Sequence, residues 1–269
     1  RARERGIKAN RYLVAQDDPT LPVRHSTTDI NDGRNGFGID CTLSFILEGP
    51  NGLSREDRIW ERAKGQLGFI ESFLGVCEAS YKEIVTLVAD ARARGAAQVP
   101  AQVPIQADYT PSSSGPLQVA VWRTRDLRDT TITLPDYRGT PEVRCAVVPP
   151  KAYIIERPTA LLRALLTAHG FPYEVLTTNK SAIVEQFRLT GWDTLRCEGR
   201  DTVIPAGDYA RTRRVFRPGA LLVPVKGVGA SKLVQIMEPR SMYGLSHYPE
   251  FAELFEGDVL PIYRVLRVR

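Results

Sequence analysis

Histidine is scarce in this chain of 269 residues, which has only His25, His169 and His247. A zinc site takes three or four His, Cys or carboxylate ligands, so the supply for one here is thin. The four cysteines, Cys41, Cys77, Cys145 and Cys197, lie far apart with no C-x-x-C pair, which argues against a zinc knuckle or a redox dithiol. Cys41 and Cys77 fall in apolar surroundings and are expected to be buried, inert thiols. No run of 18 apolar residues occurs, so no membrane-spanning helix is expected. A G-x-S-x-G elbow is missing, and with it the usual serine hydrolase signature. Lysine is scarce as well: only seven of the 36 basic residues are Lys, so arginine carries the net charge of +5. Much of the surplus sits in Arg1 to Arg11 and in Arg211 to Arg217. Neither segment interleaves aromatic with basic residues or matches a groove-reading helix, so both are expected to be solvated surface and no nucleic-acid partner is expected. The chain opens on Arg1 without a signal-peptide pattern, and the expectation is that it begins inside a longer gene product.

What is present suits an ordinary globular protein of two domains. Hydrophobic residues make up 43% of the chain, and the 21 glycines and 19 prolines show no repeat. Asp40 to Glu48 (DCTLSFILE) is almost continuously apolar between glycine-rich flanks, the pattern of a strand buried on both faces. Ser54 and Asp57 have capping-box spacing. The apolar positions Ile59, Ala63, Leu67, Ile70, Leu74, Cys77, Tyr81, Ile84 and Val88 then step by three and four, predicting a helix with one core-facing stripe and a kink near Gly75. Residues 96–116 are rich in Pro and Ser and read as a linker between a first domain, 1–95, and a second, 117–269. In the second, Leu117 to Trp122 and Thr130 to Leu134 predict a hairpin, and AYIIE, a helix ending at Gly170, and YEVLT predict a βαβ-like unit. The runs IVEQFRL, TVIPAGDYA, ALLVPV, KLVQIM and VLPIYRVLRV read as further strands.

Glu48 is the residue most suggestive of chemistry. In open α/β sheets the ligand crevice lies beyond the carboxyl ends of the strands, and a half-buried carboxylate there is suited to accept a proton from an activated water. A solvated acid marking the end of the strand is the alternative. The glycines of DGRNGFGID precede a strand instead of joining a strand to a helix, so they read as a turn, and KGVGASK lacks P-loop spacing and reads as a tight connection. His247 and Glu250 form an H-x-x-E pair with no later histidine to complete a site. His169 falls at a helix end, where a charged imidazole interacts well with the last carbonyls.

The string from Arg24 to Ala79, with its glycines at Gly33 to Gly38, apolar Leu43 to Leu47, Glu48 and a long following helix, resembles the last part of the catalytic domain of carboxypeptidase A-like zinc metallocarboxypeptidases. In the bacterial multidomain branch of that family the extension after the catalytic domain is similar to PKAYIIERPTALLRALLTAHGFPYEVL (Lys151 to Leu176), IPAGDYA, MEPRS (Met237 to Ser241) and PIYRV (Pro261 to Val265), in that order. The resemblance implies an α/β fold: the C-terminal portion of a mixed-sheet carboxypeptidase-like domain followed by a β-rich α/β domain. It further implies a peptide substrate, zinc as cofactor, and Glu48 as the general base beside a metal-activated water. The family's H-x-x-E and third histidine lie upstream of the glutamate strand, and nothing before Glu48 supplies them, so the zinc ligands are expected outside this chain and residues 1–269 contribute none. The family's substrate-facing tyrosine has no counterpart between Tyr12 and Tyr81; His25 stands nearest its place and is the candidate substrate-binding donor, with a surface-loop histidine as the alternative. The resemblance favours a secreted or periplasmic protein. The competing reading is a non-catalytic pseudoenzyme or a peptide- or protein-binding module.

Overall fold

The structure is a computed structural model, and it describes residues 12–15, 21–49, 59–113, 115–123, 125–126 and 128–268. The basic segment Arg1 to Arg11 and the capping pair Ser54 and Asp57 lie outside the described residues. Along the chain run β1 (Val23–Arg24), α1 (Gly33–Gly38), α2 (Ile59–Ala79), α3 (Tyr81–Ala97), β2 (Val103–Thr110), β3 (Leu117–Arg123), β4 (Arg128–Leu134), β5 (Tyr137–Arg138) and β6 (Thr140–Val147). They continue with β7 (Ala152–Ile155), α4 (Ala160–Ala168), β8 (Glu174–Val175), β9 (Lys180–Cys197), β10 (Arg200–Phe216), β11 (Leu221–Pro224), α5 (Ala230–Met237) and β12 (Val259–Val268). Both helices and sheets are present, as an α/β reading requires. The residues group into two compact units: Arg1–Thr28, Leu43–Asp90 and Asp108–Glu142 form the first; Asp29–Thr42, Ala91–Ala107 and Val143–Arg269 form the second. The division therefore interleaves along the chain and does not follow residues 95 and 117. The stretch read as a linker over 96–116 holds β2, whose Val103, Ile105 and Tyr109 are buried. Its prolines do not prevent this, because Pro is tolerated in a strand wherever its missing N–H falls on a side that needs no ladder bond.

The second unit is built on a six-stranded sheet in the order β10-β9-β12-β7-β11-β8, and every neighbouring pair is antiparallel. Strands β7 and β8 flank α4 and, being both antiparallel to β11, run parallel to each other with β11 between them. The predicted βαβ-like unit is thus split by a third strand. Thr159 caps α4 by accepting the Leu162 N–H at 3.0 Å, and Leu162 and Leu166 bury its apolar face. KLVQIM, read as a strand, belongs instead to helix α5, which buries Leu233, Val234, Ile236 and Met237. Six consecutive residues fit either period when almost all of them are buried, so a short apolar run does not settle the choice.

Alternation sorts the sheet into two faces. Tyr153, Ile155, Phe187, Leu221, Val223 and Ile262 lie in one apolar cluster with α4 and α5, while Ile154, Ala182, Val184, Phe216, Tyr263 and Val265 lie in another. The long β9–β10 hairpin shifts register between Ala206 and Gly207. Gly207 has φ +153°, and a Cβ there would sit 2.0 Å from the Arg188 carbonyl oxygen.

In the first unit, β3 and β4 form the predicted hairpin, β1 pairs in parallel with β5, and Val23, Val119 and Leu134 make a small core. Residues 42–49 form no strand, which corrects the reading of Asp40 to Glu48: Leu43, Phe45, Ile46 and Leu47 are all exposed, Phe45 by 63%. A strand needs a ladder for its backbone groups, and no described strand supplies one here. Helix α2 forms where predicted, but Ile59, Leu67, Ile70 and Leu74 of its stripe are exposed, whereas Arg62, Gln66, Phe69 and Ser72 lie on its more sheltered side. The break falls at Ser80 rather than Gly75, with the hydrogen-bond ladder continuing through Ser80 N–H to Val76 O at 2.9 Å.

Gly207→Ala is expected to destabilise the protein by about 2 kcal/mol or more, because both the backbone conformation and the contact with Arg188 oppose a methyl group. Urea denaturation of the two proteins measures the difference.

Candidate functional site

The most densely built polar site lies on one face of the six-stranded sheet. Glu238 follows α5 directly, and its backbone N–H donates to Val234 O, so the helix end fixes where its side chain begins. That side chain is 2% exposed. Tyr153 of β7 donates its hydroxyl to Oε1 at 2.7 Å, and Tyr209 of β10 donates to Oε2 at 2.9 Å. Arg264 of β12 brings Nε to 3.2 Å from Oε1, without the alignment of a hydrogen bond, and its Nη1 to 2.9 Å from Glu185 Oε2 of β9. Its Nη2 donates to Val148 O, and its guanidinium lies 4.8 Å from the Tyr209 ring centroid. Burial pushes the Glu238 carboxyl above the ordinary carboxylate range, against the pull of Arg264 and the two tyrosine hydroxyls. Burial, followed by the nearby Glu238 charge, pushes both tyrosines well up.

A second cluster occupies the opposite face. Arg214 Nη2 donates to both oxygens of Glu156, at 3.0 and 2.8 Å, and the Tyr263 hydroxyl donates to Glu156 Oε2 at 3.0 Å. Arg214 also lies 4.9 Å from the Tyr263 ring centroid. Burial, then the hydrogen bond to Glu156, pushes the Tyr263 hydroxyl up to about 12. Tyr263 and Arg264 are consecutive on β12, so strand alternation sends one to each cluster.

Both clusters hold charge rather than offer it to a ligand. A general base has to reach a proton of its substrate, and Glu238 is buried with Tyr153 donating to one of its oxygens and Tyr209 to the other. Their chemistry is the locking of strands and a helix end to one another.

The residues singled out in the sequence are not assembled into one site. Glu48 lies in the first unit, exposed and outside any strand, so the half-buried position expected of it is not what the structure has. His25 is half-buried in the same unit; its backbone N–H donates to Arg138 O at 2.9 Å, and its ring meets Tyr109 edge-on with centroids 6.5 Å apart. Among the described residues, no hydrogen bond or ring contact joins His25 to Glu48. His247 sits in a 3-10 turn with Nε2 2.9 Å from Ser241 O. His169 ends α4: its backbone N–H donates to Leu165 O at 3.1 Å and that of Gly170 donates to Thr167 O at 3.0 Å; burial, then nearby Lys232, lowers the His169 imidazole pKa and so opposes the charged form expected at a helix end. All four cysteines are free; Cys41 and Cys77 are half-buried rather than buried. Residues of KGVGASK line a cavity of about 500 Å³ with His169, Phe171 and Asp40, and Lys232 is ion-paired with Asp40.

Zinc does not fit what is present: among the described residues no group of three or more His, Cys, Asp or Glu could hold a metal ion. The chain matches no family model, no curated protein and no solved structure.

The Glu238 cluster was not singled out as a site in the sequence, although each member stands in a short run that was noticed. A glutamate directly after an apolar helix, with tyrosines in two strands and an arginine in a third, is the signal that could have found it.

Glu238→Gln leaves Arg264 with less compensation in a buried site and is expected to cost about 3 kcal/mol in urea denaturation. Tyr263 has a folded pKa above its unfolded value of 10, so the folded protein holds its proton longer than the unfolded chain. Stability is therefore expected to fall as pH rises from about 10 through about 12, and Tyr263→Phe is expected to remove that part of the fall.

Proposed function

We propose that this chain carries the C-terminal part of a carboxypeptidase-like catalytic domain, with Glu48 as its proton-transferring carboxylate, followed by a β-rich α/β domain. The substrate class on this reading is peptide, cleaved at its C-terminal bond. The observation that supports it most is the exposure of the apolar residues of Leu43 to Leu47 and of the α2 stripe. A nearly continuous apolar run is what a strand flanked by other strands needs, and a stripe at helical spacing is what a core-facing helix needs. Both sequence patterns ask for more polypeptide than the described residues place around them. The metal ligands, on this reading, belong to chain outside these 269 residues.

A second reading, a non-catalytic pseudoenzyme or peptide-binding module, draws on the position of Glu48 itself, exposed and unsupported by a strand. Release of the C-terminal residue from short peptides separates the two. The 269 residues alone are expected to be inactive. A longer natural polypeptide that includes them is expected to be active and to lose activity about 1,000-fold with Glu48→Gln, the scale of a general acid–base contribution. Activity that survives that change overturns the role of Glu48, and an inactive longer polypeptide leaves the second reading.

A further inference from the structure

The six-stranded sheet ends on β10, which pairs with β9 along its length and with no other strand among the described residues. Its second half, Tyr209 to Phe216, contains Arg211, Arg213 and Arg214 and no acidic residue. Arg214 is held by Glu156 on one face of the sheet. Arg211 and Arg213 project to the other face, are exposed, and have no ion-pair partner among the described residues.

The register gives these two arginines a context. Arg211 lies opposite Glu185 of β9, and Glu185 lies opposite Arg264 of β12. Charge therefore alternates across three adjacent strands, positive, negative, positive, and Glu185 is paired with the inner arginine at 2.9 Å. The row stops on an uncompensated cation at an open edge. Continuing the alternation requires a carboxylate on the next strand.

Charged residues on an edge also discourage self-association. Here the same feature selects between partners. Two copies of β10 paired antiparallel about Thr212 would set Arg211 against Arg213, and like charges directly opposite one another destabilise a pair. An acidic strand meets no such penalty and gains two favourable cross-strand pairs, while its backbone fills the unpaired edge.

We propose that the free edge of β10 over Tyr209 to Phe216 binds an extended acidic segment of another protein by β-augmentation. The added strand places carboxylates at positions i and i+2 opposite Arg211 and Arg213, with an apolar residue flanking them beside the exposed Val215. This holds whether or not Glu48 is catalytic.

The test uses the full chain and a fluorescein-labelled, capped peptide, Thr-Val-Thr-Glu-Thr-Glu-Thr-Val-Thr, which reads the same in both directions and so fits either strand sense. Anisotropy is expected to show saturable binding that weakens with added NaCl. Arg211→Gln combined with Arg213→Gln is expected to weaken it about tenfold, consistent with two partly exposed cross-strand charge pairs. Circular dichroism of that variant should be unchanged, since both side chains are exposed. The same peptide N-methylated at each of its five central residues is expected to bind at least tenfold more weakly, because it keeps its charge and has no central donor left in either strand sense. A lysine-for-glutamate peptide is expected not to bind. The proposal is overturned by no binding up to millimolar peptide, by equal binding of the N-methylated peptide, by an unchanged double variant, or by a single-stranded oligonucleotide that displaces the peptide, since this last outcome marks a general polyanion surface.

Discussion

The buried pairing of Glu238 with Arg264 is the constraint around which the second unit is arranged. An unpaired charge in a dry interior costs several kcal/mol, so each of these residues is tolerable only while the other, and the hydroxyls of Tyr153 and Tyr209, stay in place. The members come from β7, β10, β12 and the end of α5. A slip of β12 by one residue would turn Arg264 to the opposite face, away from Glu238 and Glu185, and would turn Tyr263 away from Glu156. Apolar packing alone would punish that slip less sharply, since Ile262 and Val265 are interchangeable in kind. The polar groups therefore specify the register that the apolar residues merely stabilise.

The first unit differs in the relation between pattern and burial. Its hairpin and small core use Val23, Val119 and Leu134 as alternation requires. In α2, by contrast, the stripe at helical spacing is exposed while Ser72, with its hydroxyl bonded to Gly68 O at 2.7 Å, is buried. Exposed single apolar residues are ordinary, but a whole stripe together with an adjacent apolar run is not. A contact of Phe45 with Phe73, with centroids 5.3 Å apart, links the run to the helix within this unit without covering either. Sequence and structure agree that the helix exists and disagree about which side of it is inside.

That contrast shows what was legible. Helices α2, α3 and α4, the β3–β4 hairpin and part of each strand of the long β9–β10 ribbon follow from periodicity and turn residues, which are local signals. The insertion of β11 between β7 and β8 and the helical state of KLVQIM were not legible, because each depends on neighbours distant in sequence. Glu48 was placed at a strand end on the strength of the apolar residues before it, and those residues have no ladder among the described strands. The Glu238 cluster escaped notice because four separate chain segments contribute to it and none has a motif for being buried.

The short runs that carry the resemblance in the second half acquire a physical meaning from this cluster. AYIIE supplies Tyr153 and Glu156, GDYA supplies Tyr209, MEPRS supplies Glu238, and PIYRV supplies Tyr263 and Arg264. Apart from the exposed Asp208, every charged or hydroxylated residue that these runs place in the sheet belongs to one of two structural clusters. Runs of this kind would recur in a set order wherever the same sheet is built, whatever activity accompanies it, because a buried ion pair tolerates the loss of neither partner. Their order thus speaks to how the second unit folds and carries no weight for catalysis. The weight of a hydrolytic reading rests on the first unit alone, on one exposed carboxylate and on apolar surfaces that remain to be covered.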